Sequence, residues 1–145
     1  MTVYVIDTDI LSLYQRNHPQ VSAQIRLARQ NGLALTTTIV TVEEQYAGRL
    51  AQIQKAKTPE LLIAAYARLT TTFSLFSQLE ILGYNRMADD YFRQFRQQGI
   101  RIGTQDLRIA SISLTHSAII VTRNRKDFGQ VPNLIIEDWS LDVNS

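Results

Sequence analysis

Apolar residues recur along this chain with two periods, and the switches between them outline alternating strands and helices. Val3-Tyr4-Val5-Ile6 is an unbroken β-rich run that stops at Asp7-Thr8-Asp9, which predicts a buried strand over about residues 2–6. Ile10, Leu11, Leu13 and Tyr14 then form the apolar face of a short helix. Pro19 suits the first turn of a second helix, whose inner face holds Val21, Ile25 and Ala28 and whose natural C′ residue is Gly32. Residues 33–37 read as a second strand. Thr41 is placed at the opening of a third helix and Thr58-Pro59 at that of a fourth, the two forming a protruding helical hairpin. The apolar face expected for the fourth helix comprises Leu61, Leu62, Ala65, Tyr66, Leu69 and Phe73.

Glu80-Ile81-Leu82 is a short strand. Asn85 suits the cap of a helix carrying Met87, Tyr91, Phe92 and Phe95 and stopping at Gly99. Thr104 is placed as the cap of another helix reaching about His116. A buried strand over residues 118–122 and a short one over 134–136 complete the pattern. Strands alternating with helices predict an α/β fold with a mainly parallel sheet wrapped on both faces. Nothing marks a linker, repeat or low-complexity tract, so residues 1–145 are expected to form a single domain.

The parallel sheet gives the acidic residues their interest, because parallel strands place all their C-terminal ends at one edge. Asp7 ends the first strand, Glu44 starts the helix after the second, Asp106 starts a later helix, and Asn124 and Asp127 follow the strand over 118–122. Carboxylate oxygens gathered there suit Mg²⁺ or Mn²⁺, which prefer hard ligands. A metal so held can stabilise phosphate charge and activate a water. Each residue also has an ordinary role. Asp7 or Asp9 suits a helix cap, and Thr41-Val42-Glu43-Glu44 fits a capping box with Glu44 reaching back to the Thr41 amide. Asp106 complements a helix dipole, and Asp127 fits a turn with Asn124. Asp7 stands out, since a charge ending a buried run is costly without a partner.

Composition narrows the choices. No cysteine is present, which removes disulfides and thiolate metal sites. No segment reads as a signal peptide or membrane span, so a cytoplasmic protein is expected. The 15 basic residues face 13 acidic ones; setting aside Asp7, Glu44, Asp106 and Asp127 leaves 9 acids. A basic exterior around an acidic pocket suits a polyanion bound through a metal, though it equally describes a slightly basic soluble protein. Arg123, Arg125 and Lys126 flank the expected crevice, where they serve either phosphate binding or solubility. His18 and His116 lack metal-ligand spacing, no glycine-rich phosphate loop occurs, and Asp89-Asp90 reads as a solvated helix face.

Four ordered segments resemble the PIN-domain family, especially VapC-type toxins of prokaryotic toxin–antitoxin pairs. They are residues 4–11 (YVIDTDIL), 40–48 (VTVEEQYAG), 102–110 (IGTQDLRIA) and 120–128 (IVTRNRKDF). The resemblance implies a three-layer α/β/α domain and a metal-dependent endoribonuclease. Asp7 and Asp106 match the family's metal-binding aspartates. Glu44, counted back from Gly48, matches its glutamate. Asn124 stands where many members carry Asp, with Asp127 close by, so either completes the pocket. Asp9 stands where the family often has Asn. Mg²⁺ or Mn²⁺, an RNA substrate, an inhibitory antitoxin and a homodimer are the implied cofactor and partners.

Two other readings stay open. A strand ending in Asp-x-Asp is also the nucleophile signature of haloacid-dehalogenase-type phosphatases, in which Asp7 would be phosphorylated. Leu11 and the lack of a lysine between Thr122 and Lys126 depart from that pattern. A non-catalytic interaction module that keeps the fold is the third reading, favoured only by Asn124.

Overall fold

The computed structural model describes residues 2–142. The first apolar run forms β1 (Val3–Ile6), and the residues after it turn at once into α1 (Thr8–Gln15). Then follow α2 (Pro19–Gln30), β2 (Ala34–Thr38), α3 (Ile39–Lys55), α4 (Pro59–Ser77), β3 (Glu80–Leu82) and α5 (Arg86–Gln97). The chain closes with α6 (Thr104–Thr115), β4 (Ile119–Val121), α7 (Arg125–Phe128) and β5 (Ile135–Glu137). Gly32 and Gly99 have positive φ, as expected for residues just past the ends of α2 and α5.

The five strands run in the order β3-β2-β1-β4-β5, and every pairing is parallel. Side chains alternate across this sheet, so each strand serves two cores. Val5 and Ile120 point into a cluster with Ala88, Phe95, Leu107 and Phe128. Their neighbours Ile6 and Val121 point into the other, with Ile10, Val21, Ile25 and Phe76. Both faces are therefore covered, and the domain has three layers. The polar β2 survives in this interior because its hydroxyls bond backbone carbonyls of β1. Thr36 Oγ1 donates to Tyr4 O at 2.9 Å and Thr37 Oγ1 to Ile6 O at 2.7 Å.

Five details differ from the expectations drawn from the sequence. The strand over β2 runs one residue further, and Thr38, not Thr41, caps α3: its Oγ1 accepts from Thr41 N at 3.1 Å. Glu44 is thus in the second turn, and the capping box does not form. Gly103 precedes α6, which leaves Thr104 as its first helical residue without a side-chain cap. The one-turn helix α7 went unforeseen, being too short to show a period. In α4 the buried face is Ala65, Thr72, Leu75 and Phe76, while Leu61, Leu62, Tyr66 and Phe73 are exposed. Apolar residues nearly surround this helix, so periodicity could not select its inner side.

Candidate active site at the carboxyl edge of the sheet

The strand order fixes where a site forms. The chain winds outward from β1 to β2 and β3, then returns to lay β4 on the other side of β1. In open α/β sheets the crevice beyond the strand ends at such a reversal is where ligands bind. Ile6 pairs with Val121, so the next residues, Asp7 and Thr122, meet across that point. Asp7 N donates to Val121 O at 3.0 Å, and Thr122 Oγ1 donates to Asp7 Oδ2 at 2.9 Å. Asp7 occupies the N-cap position of α1, yet its side chain caps nothing and is only 6% exposed.

The other acids gather around it. Glu44 Oε1 accepts from Thr8 Oγ1 at 3.5 Å, which ties α3 to the start of α1. Asp127 is held by Asn124, whose Oδ1 accepts from Asp127 N and whose Nδ2 donates to Asp127 Oδ2 at 3.1 Å. The two residues offered for that position are thus hydrogen-bonded to each other. Asp9 Oδ2 accepts from Arg123 N at 3.1 Å and lies 3.6 Å from Arg123 Nε. Its Oδ1 is buried without a hydrogen-bond partner. Arg123 is engaged by Asp9, whereas Arg125 and Lys126 are exposed on α7. Asp89 is not a merely solvated charge, since it accepts from Tyr84 Oη and pairs with Arg93.

The electrostatics show that these groups sense one another. Burial pushes the Asp7 carboxyl up to about 7; the charges of Asp9 and Asp106 push the same way, against hydrogen bonds from the Thr8 amide and Thr122. Burial also raises Asp106, helped by Asp127 and Asp9. Glu44 is raised by burial and then by Asp106, against its bond from Thr8. No basic side chain lies within ion-pair distance of Asp7, Glu44, Asp106 or Asp127 among the described residues. Nor are any three of these acids, among the described residues, close enough together to hold a metal ion as a group. An oxygen-only set this open fits a cation that takes few protein ligands and keeps its waters, as Mg²⁺ does. Asp7 and Asp106 both sense the charge of Asp9, and Asp7 also senses that of Asp106.

Thr8 and Thr122 were not singled out for these roles in the sequence. The one signal was position, since both stand where a strand gives way to the chemistry-bearing loop.

The chain is similar to known proteins along nearly its whole length. It is 31% identical over 143 residues to the ribonuclease VapC2 of Rickettsia felis, covering 94% of this chain and 98% of the relative. The chain belongs to the VapC family of ribonucleases. The tRNA(fMet)-specific endonuclease VapC of Shigella flexneri is 27% identical over 144 residues, covering 97% of this chain and 100% of that protein. A solved VapBC2 complex of Rickettsia felis, bound to a promoter DNA fragment, matches with a TM-score of 0.74 and 26% identity over 95% of this chain and 99% of that one. The VapBC-1 structure from nontypeable Haemophilus influenzae shares the fold, with a TM-score of 0.77 at 22% identity over 97% and 100% of the two chains. No family model matches the chain. Membership in the VapC family confirms the PIN-like three-layer architecture and sets the phosphatase reading aside. No helix among the described residues is long and apolar enough to cross a membrane.

Proposed function

We propose that this protein is a metal-dependent endoribonuclease and the toxin of a toxin–antitoxin pair. Family membership supports RNA hydrolysis as the activity. One observation carries the metal dependence: the buried Asp7 has no basic partner of its own and senses the charges of Asp9 and Asp106, an arrangement that costs stability unless a cation joins it.

Asp7 and Asp106 are the residues assigned to hold Mg²⁺ or Mn²⁺, with Asp9 Oδ1 free to accept from its waters. When bound, the cation would supply charge stabilisation at the phosphate and lower the pKa of a water. Thr122 keeps Asp7 aimed into the crevice, and Asn124 does the same for Asp127. Glu44 uses Oε1 for Thr8, which leaves Oε2 to take a proton from the attacking water. Its raised pKa suits that task. Arg125 and Lys126 rim the crevice and are assigned to backbone phosphates.

The direct test is cleavage of single-stranded RNA by the purified chain. Cleavage is expected in Mg²⁺, absent in EDTA, and lowered at least roughly 100-fold by Asp106→Asn, since several kcal/mol of charge stabilisation go with the ligand. Unchanged cleavage in EDTA would refute metal dependence.

The relatives seen as VapBC complexes support a cognate antitoxin as partner. A shallow apolar groove suits such a segment. It is lined by Ile39, Val42, Tyr46, Phe73, Phe76 and Ile81, and Phe73 is 65% exposed at its rim. Phe73→Glu is expected to weaken antitoxin binding more than about tenfold, as loss of an aromatic anchor does. Calorimetric titration checks this, and unchanged affinity would move the contact elsewhere. The exposed Leu61, Leu62 and Ile63 of α4 are assigned to a homodimer contact.

A further inference from the structure

A second polar feature lies beside the acids and plays no part in the scheme above. A cleft of about 370 Å³ opens between α1, α3 and α4, lined by Ser12, Gln15, Arg16, Arg49, Arg68 and Thr72 among others. Three guanidinium groups therefore share one cleft. None has a carboxylate within 4.0 Å, the ion pairs among the described residues being Arg93–Asp89 and Arg123–Asp9. Three like charges without a counter-charge repel, and an anion between them relieves that repulsion.

Arg49 is held rather than neutralised. Its Nη1 donates to Gln52 Oε1 at 2.9 Å and its Nη2 to Gln45 Oε1 at 3.5 Å. Both partners are neutral amides, so they fix the guanidinium and leave its charge intact. Its Nε–H is buried and bonds no protein atom. Arg16 and Arg68 are exposed and free to close on a ligand from α1 and α4. Guanidinium forks match phosphate oxygens in pairs, and neutral hydroxyl and amide groups such as Ser12 and Gln15 add donors without selecting a base.

Placement decides which phosphate. Ser12 follows Thr8 by one turn of α1, about 6 Å of rise. Thr8 in turn donates to Glu44 in the acidic crevice. Arg16 stands a further turn along, about 12 Å of rise from Thr8, so a strand with one phosphate at the acids can bring another phosphate to the arginines. We propose that Arg16, Arg49 and Arg68 form a phosphate subsite that holds a backbone phosphate of single-stranded RNA flanking the scissile one. The inference rests on the ribonuclease reading for its substrate. Such a subsite registers the strand on the enzyme and carries no base preference.

The test uses the full chain and a short fluorescein-labelled single-stranded RNA in Ca²⁺ buffer, with Kd read by anisotropy over a range of salt. The double variant Arg16→Gln/Arg68→Gln is expected to raise Kd about tenfold and to flatten the log Kd against log salt slope by about 0.7, the value for one lost phosphate contact on a single strand. The paired variant Arg16→Lys/Arg68→Lys is expected to keep the wild-type slope, since it keeps the charge. Arg26→Gln, an exposed arginine on α2 outside the cleft, serves as the control and is expected to leave both readings unchanged. Circular dichroism of each variant separates binding from folding. Wild-type affinity and slope in the double glutamine variant would overturn the subsite, as would failure of the wild type to bind the RNA. Cleavage in Mg²⁺ is scored separately. Arginine-dependent binding without cleavage would refute the ribonuclease reading and leave the subsite standing; cleavage with arginine-independent binding would refute the subsite alone.

Discussion

Asp7→Asn is expected to abolish RNA cleavage, by at least roughly 10³-fold, and at the same time to stabilise the metal-free protein. The two effects share one cause. Asp7 is 6% exposed and its carboxyl is pushed up to about 7, chiefly by burial and then by Asp9. A carboxyl whose pKa is higher folded than unfolded holds its proton more tightly in the folded state. Below about pH 4 both states carry the proton and no penalty arises. Between about 4 and 7 the unfolded chain releases it first, so stability falls as pH rises, and above about 7 the full penalty applies. A gap of about three pH units corresponds to about 4 kcal/mol, and relaxation around the site brings the expected gain for asparagine at pH 8 to about 2–4 kcal/mol. Urea unfolding in EDTA reads it. At pH 4 the variant and the wild type are expected to converge. Loss of stability in Asp7→Asn at pH 8 would mean that the charge is compensated by a group other than a metal.

The second large effect is stabilisation of the wild type by divalent metal. Mn²⁺ at 100 times its Kd adds about 2.7 kcal/mol by mass action, a rise in Tm of about 5–10 °C for a domain of this size. The rise is expected to be larger at pH 8 than at pH 5.5. At the lower pH the Asp7 proton competes with the metal. Asp7→Asn is expected to lose most of the shift. Calorimetry at the two pH values measures it. No shift with millimolar Mn²⁺ would favour the non-catalytic module, the reading that Asn124 alone supported.

How much of this the sequence disclosed follows from the range of the interactions. β1 and Asp7 were legible because a continuous apolar run ending in a carboxylate is a local signal. The parallel sheet was legible from alternation, and with it the gathering of Asp7, Glu44, Asp106 and Asp127 at one edge. The bond from Thr122 to Asp7 was not, since its partners lie 115 residues apart and meet only because β4 pairs with β1. The placement of Glu44 was half legible. A local capping box competed with a distant contact, and Thr38 settled the matter by capping α3 itself. The inner face of α4 was illegible, because a helix with apolar residues nearly all round shows no preferred side. The arginine cleft was equally hidden, its three charges coming from three helices at positions 16, 49 and 68.

The acids at the carboxyl edge of the sheet are proposed to hold a divalent cation against RNA. Anomalous diffraction from crystals of this chain soaked in Mn²⁺ tests it most directly. A manganese peak between Asp7 and Asp106 is expected, and its disappearance in Asp7→Asn. A peak elsewhere, or none at these carboxylates in crystals of a preparation that cleaves RNA, would contradict it.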